Sequence, residues 1–322
     1  MTIVRKLRGL PRRRFPNCNR RRQLQRITEG RFVSRLIPPL AFAALKAASA
    51  TLVLAVLFIG SVFADTAILV ALPAEQSALS REVRMVGQSV ELAQHRVSIG
   101  YHTGEKLYIV RTGAGNLNSA MVTQALLTRY KIDRVISIGV AGNLNDAWHV
   151  SDLLIVTNVV NHQEGKETTA GFEPAPAAEK LASAQSRCEA LQSNAMGVAT
   201  AIVGQAPAPP GIDKPSAESG QPIASLRMGR LVSGDSFIAS TAKRNWLRET
   251  FHADAVDMVS AGIARVCEAN GVPCVIIRVL SDNADESASG AFTRFVQSGK
   301  AKDPITVPIA IRLVEQVAPA HR

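Results

Sequence analysis

Residues Cys274–Glu286 read C-V-I-I-R-V-L-S-D-N-A-D-E. An apolar run interrupted only by Arg278 predicts a strand buried on both faces. It stops abruptly at Ser281-Asp282, and a further acid, Asp285, follows at once. In an open α/β sheet ligands gather at the carboxyl ends of strands, which makes Asp282 a candidate functional residue. Ser, Asp and Asn are also the favoured helix N-caps, so S-D-N by itself reads first as the start of a helix. The rest of the chain has to decide.

Working outward, strand-like and helix-like stretches alternate. Buried strands are expected at 66–72 (T-A-I-L-V-A-L), 134–140 (R-V-I-S-I-G-V) and 152–160 (D-L-L-I-V-T-N-V-V), and another in R-L-V-S-G-D before Ser236. Two more flank the turn signal His102-Thr103-Gly104. Helices are expected at 76–86, 117–130, 179–191, 243–250 and 259–270. This alternation argues for an α/β domain with a parallel or mixed sheet. Residues 205–222, rich in Pro, Gly and Ser, read as a surface insertion within that domain.

The 322-residue chain carries a formal net charge of +11, which invites a nucleic-acid partner. Residues 1–64, however, hold 13 Lys and Arg against the single acid Glu29, and the remainder holds 24 basic and 25 acidic residues. The folded part is near neutral, so charge gives no argument for nucleic acid. The basic front, the uncharged run Ala47–Ala64 and the closing V-F-A read as a signal peptide. An uncleaved anchor is the rival, since the run could almost span a bilayer. The expected domains are therefore a leader over 1–64 and one domain over 65–322. The expected location is periplasmic or secreted, with membrane contact only through the leader before cleavage. Cys188, Cys267 and Cys274 remain after the leader, an odd number without metal-type spacing or a disulfide framework.

Two further segments frame the opening stretch: V-S-G-D-S-F-I (Val232–Ile238) and A-V-D-M-V-S-A-G-I-A-R-V-C (Ala255–Cys267). Glu75 follows the first strand, T-G-A-G begins at Thr112, and G-V-A-G follows the strand at 134–140. In order and spacing the chain resembles the purine nucleoside phosphorylase and nucleosidase superfamily over roughly 68–314. It is most similar to the methylthioadenosine/S-adenosylhomocysteine nucleosidases. The resemblance implies a three-layer α/β fold whose mixed sheet forms a distorted barrel flanked by helices, usually dimeric. It implies a purine nucleoside as ligand, without a cofactor or metal.

Position by position, the resemblance places Asp282 on the family's general acid toward purine N7, with Ser281 beside it. Glu75 falls on the carboxylate that activates water. Phe237 matches the aromatic that stacks on the base, and the main chain of Ile238 the base-reading backbone. Met258 matches the residue beneath the ribose, and Phe292 the aromatic near the 5′ substituent. Breaking a purine–ribose bond passes through an oxocarbenium-like state, so one carboxylic acid must protonate the base while another carboxylate deprotonates water. The acid needs a raised pKa and the base must stay ionised. Asp282, after a buried strand, suits the first role, and Glu75, expected near a polar loop, the second.

One departure stands out. Where the family has a Glu that chelates the ribose 2′ and 3′ hydroxyls, this chain has Val259. The alternatives to hydrolysis are thus a non-catalytic nucleoside-binding protein and a phosphorylase, for which Arg111 and Arg278 are the nearby cations. Asp235 is expected to be a structural hydrogen-bonding residue, and His162 a surface or loop histidine.

Overall fold

The computed structural model describes residues 65–175, 186–205, 225–298 and 304–317. The leader lies outside them, as does all but the first residue of the segment 205–222. In chain order the elements are β1 (Thr66–Val70), α1 (Pro73–Glu82), β2 (Arg84–Met85), β3 (Val90–Leu92), β4 (His95–His102) and β5 (Glu105–Arg111). They continue with α2 (Asn116–Arg129), β6 (Arg134–Asn143), β7 (Leu153–Asn161), β8 (Gly165–Thr168), β9 (Gly171–Pro174) and α3 (Ser186–Gln205). Next come β10 (Leu226–Ser233), α4 (Thr241–Phe251), β11 (Ala255–Asp257) and α5 (Ser260–Ala269). The last are β12 (Cys274–Asp282), α6 (Ala288–Gln297) and α7 (Thr306–Val317).

Ten strands form one mixed sheet in the order β11-β10-β7-β12-β6-β1-β5-β4-β2, with β3 on β4. Because β11 also pairs with β6, antiparallel, the strands β6, β12, β7, β10 and β11 close into a barrel. From β6 the sheet runs on through β1 and β5, both parallel to their neighbours, into the antiparallel β4. Strand β1 is buried at every residue, and its alternate side chains feed two cores. Ile68 joins Ile136, Ile277, α3 and α7, while Leu69 joins Val135, α2 and α5. The sheet is therefore sandwiched between two helical layers, the expected architecture. Each fully buried Ile or Leu contributes roughly 1.5–3 kcal/mol by removal from water.

The structure corrects several boundaries. Strand β6 runs on through A-G-N to Asn143, because Asn143 and Gly142 pair with β11 and seal the barrel. The described part of α3 starts at Ser186 and runs to Gln205, well past Leu191. Strands β2, β3, β8, β9 and β11 and helices α6 and α7 are additions to the sequence reading. Cys267 and Cys274 are buried core residues, as expected of small apolar side chains.

Candidate active site

Every residue of β12 is buried, and the strand includes Asp282 itself. The helix-cap reading of S-D-N is overturned, since the next helix begins only at Ala288, with Ser287 as its N-cap. The register slips between Leu280 and Asp282: Leu280 pairs with Ala141 and Asp282 with Gly142. Such a bulge re-aims side chains at a strand end. Here Ser281 Oγ donates to Asp282 Oδ2 at 2.8 Å, and the Ala284 N–H donates to Asp282 Oδ1 at 2.9 Å. A Cβ at Gly142 would lie 3.1 Å from Asp282 Oδ1, close enough that one of the two would have to shift by a few tenths of an ångström.

Asp282 is 2% exposed. Burial pushes its pKa above the usual 3.8, against the lowering pull of the Ser281 and Ala284 hydrogen bonds. The folded state thus holds the proton more tightly than the unfolded chain. That contribution to stability is complete below the unfolded pKa and is lost as pH rises through the folded one. Asp282→Asn removes the titration, so its melting temperature relative to the parent should rise as pH climbs from below the usual carboxylate range through the raised pKa of Asp282. Parallel thermal melts check this. A relative stability that falls with pH would contradict the burial argument.

Asp282 lines a cavity of about 140 Å³ together with Ser281, Phe237, Ile238, Met258 and Phe292. The rings of Phe237 and Phe292 meet edge to face, with centroids 5.8 Å apart and planes at 63°. Phe237 is 44% exposed and stands at the mouth. Loop 257–259, which supplies Met258, is held from below: the Gly115 N–H donates to Met258 O and Ser119 Oγ to Val259 O.

Glu75 is placed differently. It is the third residue of α1, and Oε2 accepts from the N–H groups of Leu72 at 2.9 Å and Ala71 at 3.1 Å. It faces a void of about 10 Å³ that shares Leu72 and Val140 with the main cavity. The expectation of a polar surrounding is corrected, since Glu75 is 2% exposed and burial is the largest influence on its pKa. The net shift is upward, even though the two N–H groups and the charge of Arg278 favour the carboxylate. Both carboxylates are therefore raised, and what separates them is their partners: a hydroxyl and a main-chain N–H for Asp282, two N–H groups and a guanidinium's field for Glu75.

The sequence reading missed the network around Arg278. This side chain is fully buried, and all its N–H groups are used. Nε donates to Asp257 Oδ2 at 2.9 Å, Nη1 to Ser137 O and Ile277 O, and Nη2 to Ser137 Oγ and Ser260 Oγ. Asp257 also accepts from the Val259 and Ser260 N–H groups and from Ser260 Oγ. Its carboxylate is saturated, so it is no substitute sugar ligand. Val259, 6% exposed, meets the cavity and packs in the apolar cluster of Leu69 and Ile263.

Asp235 Oδ1 accepts from the Asn116 N–H at the start of α2, the structural part expected of it. His162 is corrected from a surface residue to a buried one, 3% exposed, its ring lying against Gly234. Among the described residues neither ring nitrogen has a partner, and burial above all brings its pKa down to about 4. It is neutral at physiological pH.

The family model of the phosphorylase superfamily matches residues 65–307. The chain belongs to the phosphorylase superfamily. Among relatives in this superfamily, the aminodeoxyfutalosine nucleosidase of Helicobacter pylori is 29% identical over 201 residues, 62% of this chain and 76% of that protein. The 5′-methylthioadenosine/S-adenosylhomocysteine nucleosidase of Staphylococcus aureus is 28% identical over 219 residues, 68% of this chain and 86% of that protein. Both relatives are N-glycosidases by name. In fold, the chain is similar to the futalosine hydrolase of Helicobacter pylori, with a TM-score of 0.65, 24% identity, and 80% of this chain and 100% of that one covered. The Neisseria meningitidis methylthioadenosine/S-adenosylhomocysteine nucleosidase in complex with methylthio-immucillin-A gives 0.63 at 25% identity, covering 79% and 99%. The superfamily membership and barrel architecture read from the sequence are both met.

Proposed function

We propose that the protein is a nucleosidase that hydrolyses the N-glycosidic bond of an adenosine-type purine nucleoside. The observation that carries this is Asp282: a buried acid with a raised pKa, held by Ser281 and Ala284, opening onto the cavity that Phe237 and Phe292 share. Asp282 is the general acid toward purine N7 and Phe237 stacks on the base. The Ile238 main chain reads the base edge, Met258 and Val259 underlie the sugar, and Phe292 meets the 5′ substituent. Glu75, beyond Leu72 and Val140, activates water once the nucleoside draws the two voids together. The futalosine-type names among the relatives make a larger 5′ substituent an equal candidate.

Phosphorolysis is the weaker reading for two reasons. Neither candidate cation serves it, since Arg278 has no N–H left for phosphate and Arg111 lines a pocket apart from the Asp282 cavity, and the N-terminus of α2 is already taken by the Asp235 carboxylate. Incubating the protein with methylthioadenosine, adenosine and 2′-deoxyadenosine, with and without phosphate, tests the choice. Free base released equally in both buffers is expected; release only with phosphate would sink hydrolysis, and binding without release would favour a nucleoside-binding protein.

Val259 shapes the substrate. An isopropyl group accepts no hydrogen bond, so each buried sugar hydroxyl left unpaired costs on the order of 1–3 kcal/mol, roughly five- to 150-fold in affinity. A 2′-deoxynucleoside should lose less than its ribo counterpart. Val259→Glu should raise ribonucleoside binding or turnover selectively, by roughly tenfold or more. A stable Val259→Glu protein with no gain on any ribonucleoside would remove the sugar from this position.

Export of the mature chain from about Asp65 rests on the basic front, the apolar run and V-F-A. Amino-terminal sequencing of the protein from its native host should begin near that residue. An intact leader on a cytosolic protein would refute it.

A further inference from the structure

A second pocket, of about 430 Å³, is lined by Gln76, Gln94, His95, Arg96 and Arg111 and shares no lining residue with the Asp282 cavity. Its construction is unusual in charge. The antiparallel pairing of β4 and β5 ends at Val97 opposite Val110, and Arg96 and Arg111 are the next residues beyond it on the two strands. Both valines are fully buried, which turns the two arginines together to the other face. Both arginines are exposed, and like charges brought to one pocket from neighbouring strands repel. Among the described residues neither arginine has an ion-pair or hydrogen-bond partner. Glu91 stands opposite Arg96 on β3 but makes no ion pair with it, and the Glu75 carboxylate is turned to the Ala71 and Leu72 N–H groups. His95 is tied down, Nδ1 against Ala93 O and Nε2 against Thr112 O, which fixes the pocket wall between the strands.

We infer that this pocket binds the phosphate group of a small phosphate monoester, as a ligand separate from the nucleoside. An anion in the pocket offsets the two positive charges and accepts N–H donors from the guanidinium groups, the chemistry by which arginine recognises phosphate. Gln76 and Gln94 add carboxamides that adapt to either donors or acceptors on the ligand. The volume exceeds what one phosphate group fills, which leaves room for an organic part. Gln76 follows Glu75 directly in α1, so an occupant would touch the helix that carries the second carboxylate.

The test is isothermal titration of the protein with glycerol 2-phosphate and with inorganic phosphate at fixed ionic strength, with adenine present and absent. Parent, Arg96→Gln, Arg111→Gln and the double variant are compared, with circular dichroism as a check on folding. One-to-one binding is expected, unaffected by adenine, weakened at least tenfold by either single substitution and lost in the double, with phosphate-free release of base unchanged. Absence of binding to the parent, or equal binding to all variants, overturns the inference. So does consumption of phosphate during nucleoside cleavage that Arg111→Gln abolishes, which would make the pocket part of a phosphorolytic site. Failure of the hydrolase reading shows separately, as no base released in any buffer while this binding persists.

Discussion

Asp282→Asn is expected to lower purine release by roughly 10²–10⁴-fold, the usual worth of a positioned general acid, while leaving the protein folded. The amide keeps the shape of the carboxyl group and can still accept from the Ala284 N–H. It has no titratable proton for a departing base. The burial that raises Asp282 keeps more of the acid protonated as pH rises, so parental activity should fall on the alkaline side of its shifted pKa. That alkaline limb should vanish in the variant's residual activity. Steady-state rates across pH for both proteins check this, and an unchanged rate in Asp282→Asn would exclude the general-acid role.

Arg278→Met is expected to destabilise the fold by about 3–5 kcal/mol, the cost of leaving one member of a buried ion pair without its partner. Arg278 lies on the face of β12 that also presents Ile276 and Leu280 to the barrel interior, 0% exposed, and Asp257 is 7% exposed. Methionine fills much of the volume but leaves Asp257, Ser137 and Ser260 without their donor. A double substitution, Arg278→Met with Asp257→Leu, should recover part of the loss, because the orphaned charge is then gone. The single variant should also weaken turnover, since the field of Arg278 is one of the influences that favour the ionised form of Glu75. Denaturant melts of parent, single and double variants decide the matter. A single variant within about 1 kcal/mol of the parent would contradict the buried network.

What was legible in the sequence was what local pattern determines. The apolar run 274–280 announced β12, and its sudden polar end announced Asp282. Spacing after β1 brought out Glu75 at the start of α1. The charge of Arg278 was visible, but its meaning was not, because Asp257 lies on another strand and only barrel closure brings the two together. His162 was misread for a similar reason: the glycine of S-G-D, Gly234, admits the ring, and that pairing depends on β7 lying beside β10. The meeting of Arg96 and Arg111 at one pocket depends on a hairpin register that the turn at Thr103-Gly104 sets, and no single strand shows it. The loop after β1 reads as polar in the sequence, which puts Glu75 in polar surroundings, whereas in the fold Leu72, Val140 and Phe295 close over it.

The most direct measurement of the central claim is the structure of Asp282→Asn soaked with an uncleaved adenosine-type nucleoside. The account predicts the purine against Phe237 with N7 toward the side chain at 282, and the sugar over Met258 and Val259. It also predicts the anomeric carbon facing the Glu75 side, with a water between. A nucleoside bound outside this cavity, or one whose N7 points away from position 282 while Glu75 remains sealed behind Leu72 and Val140, would contradict it.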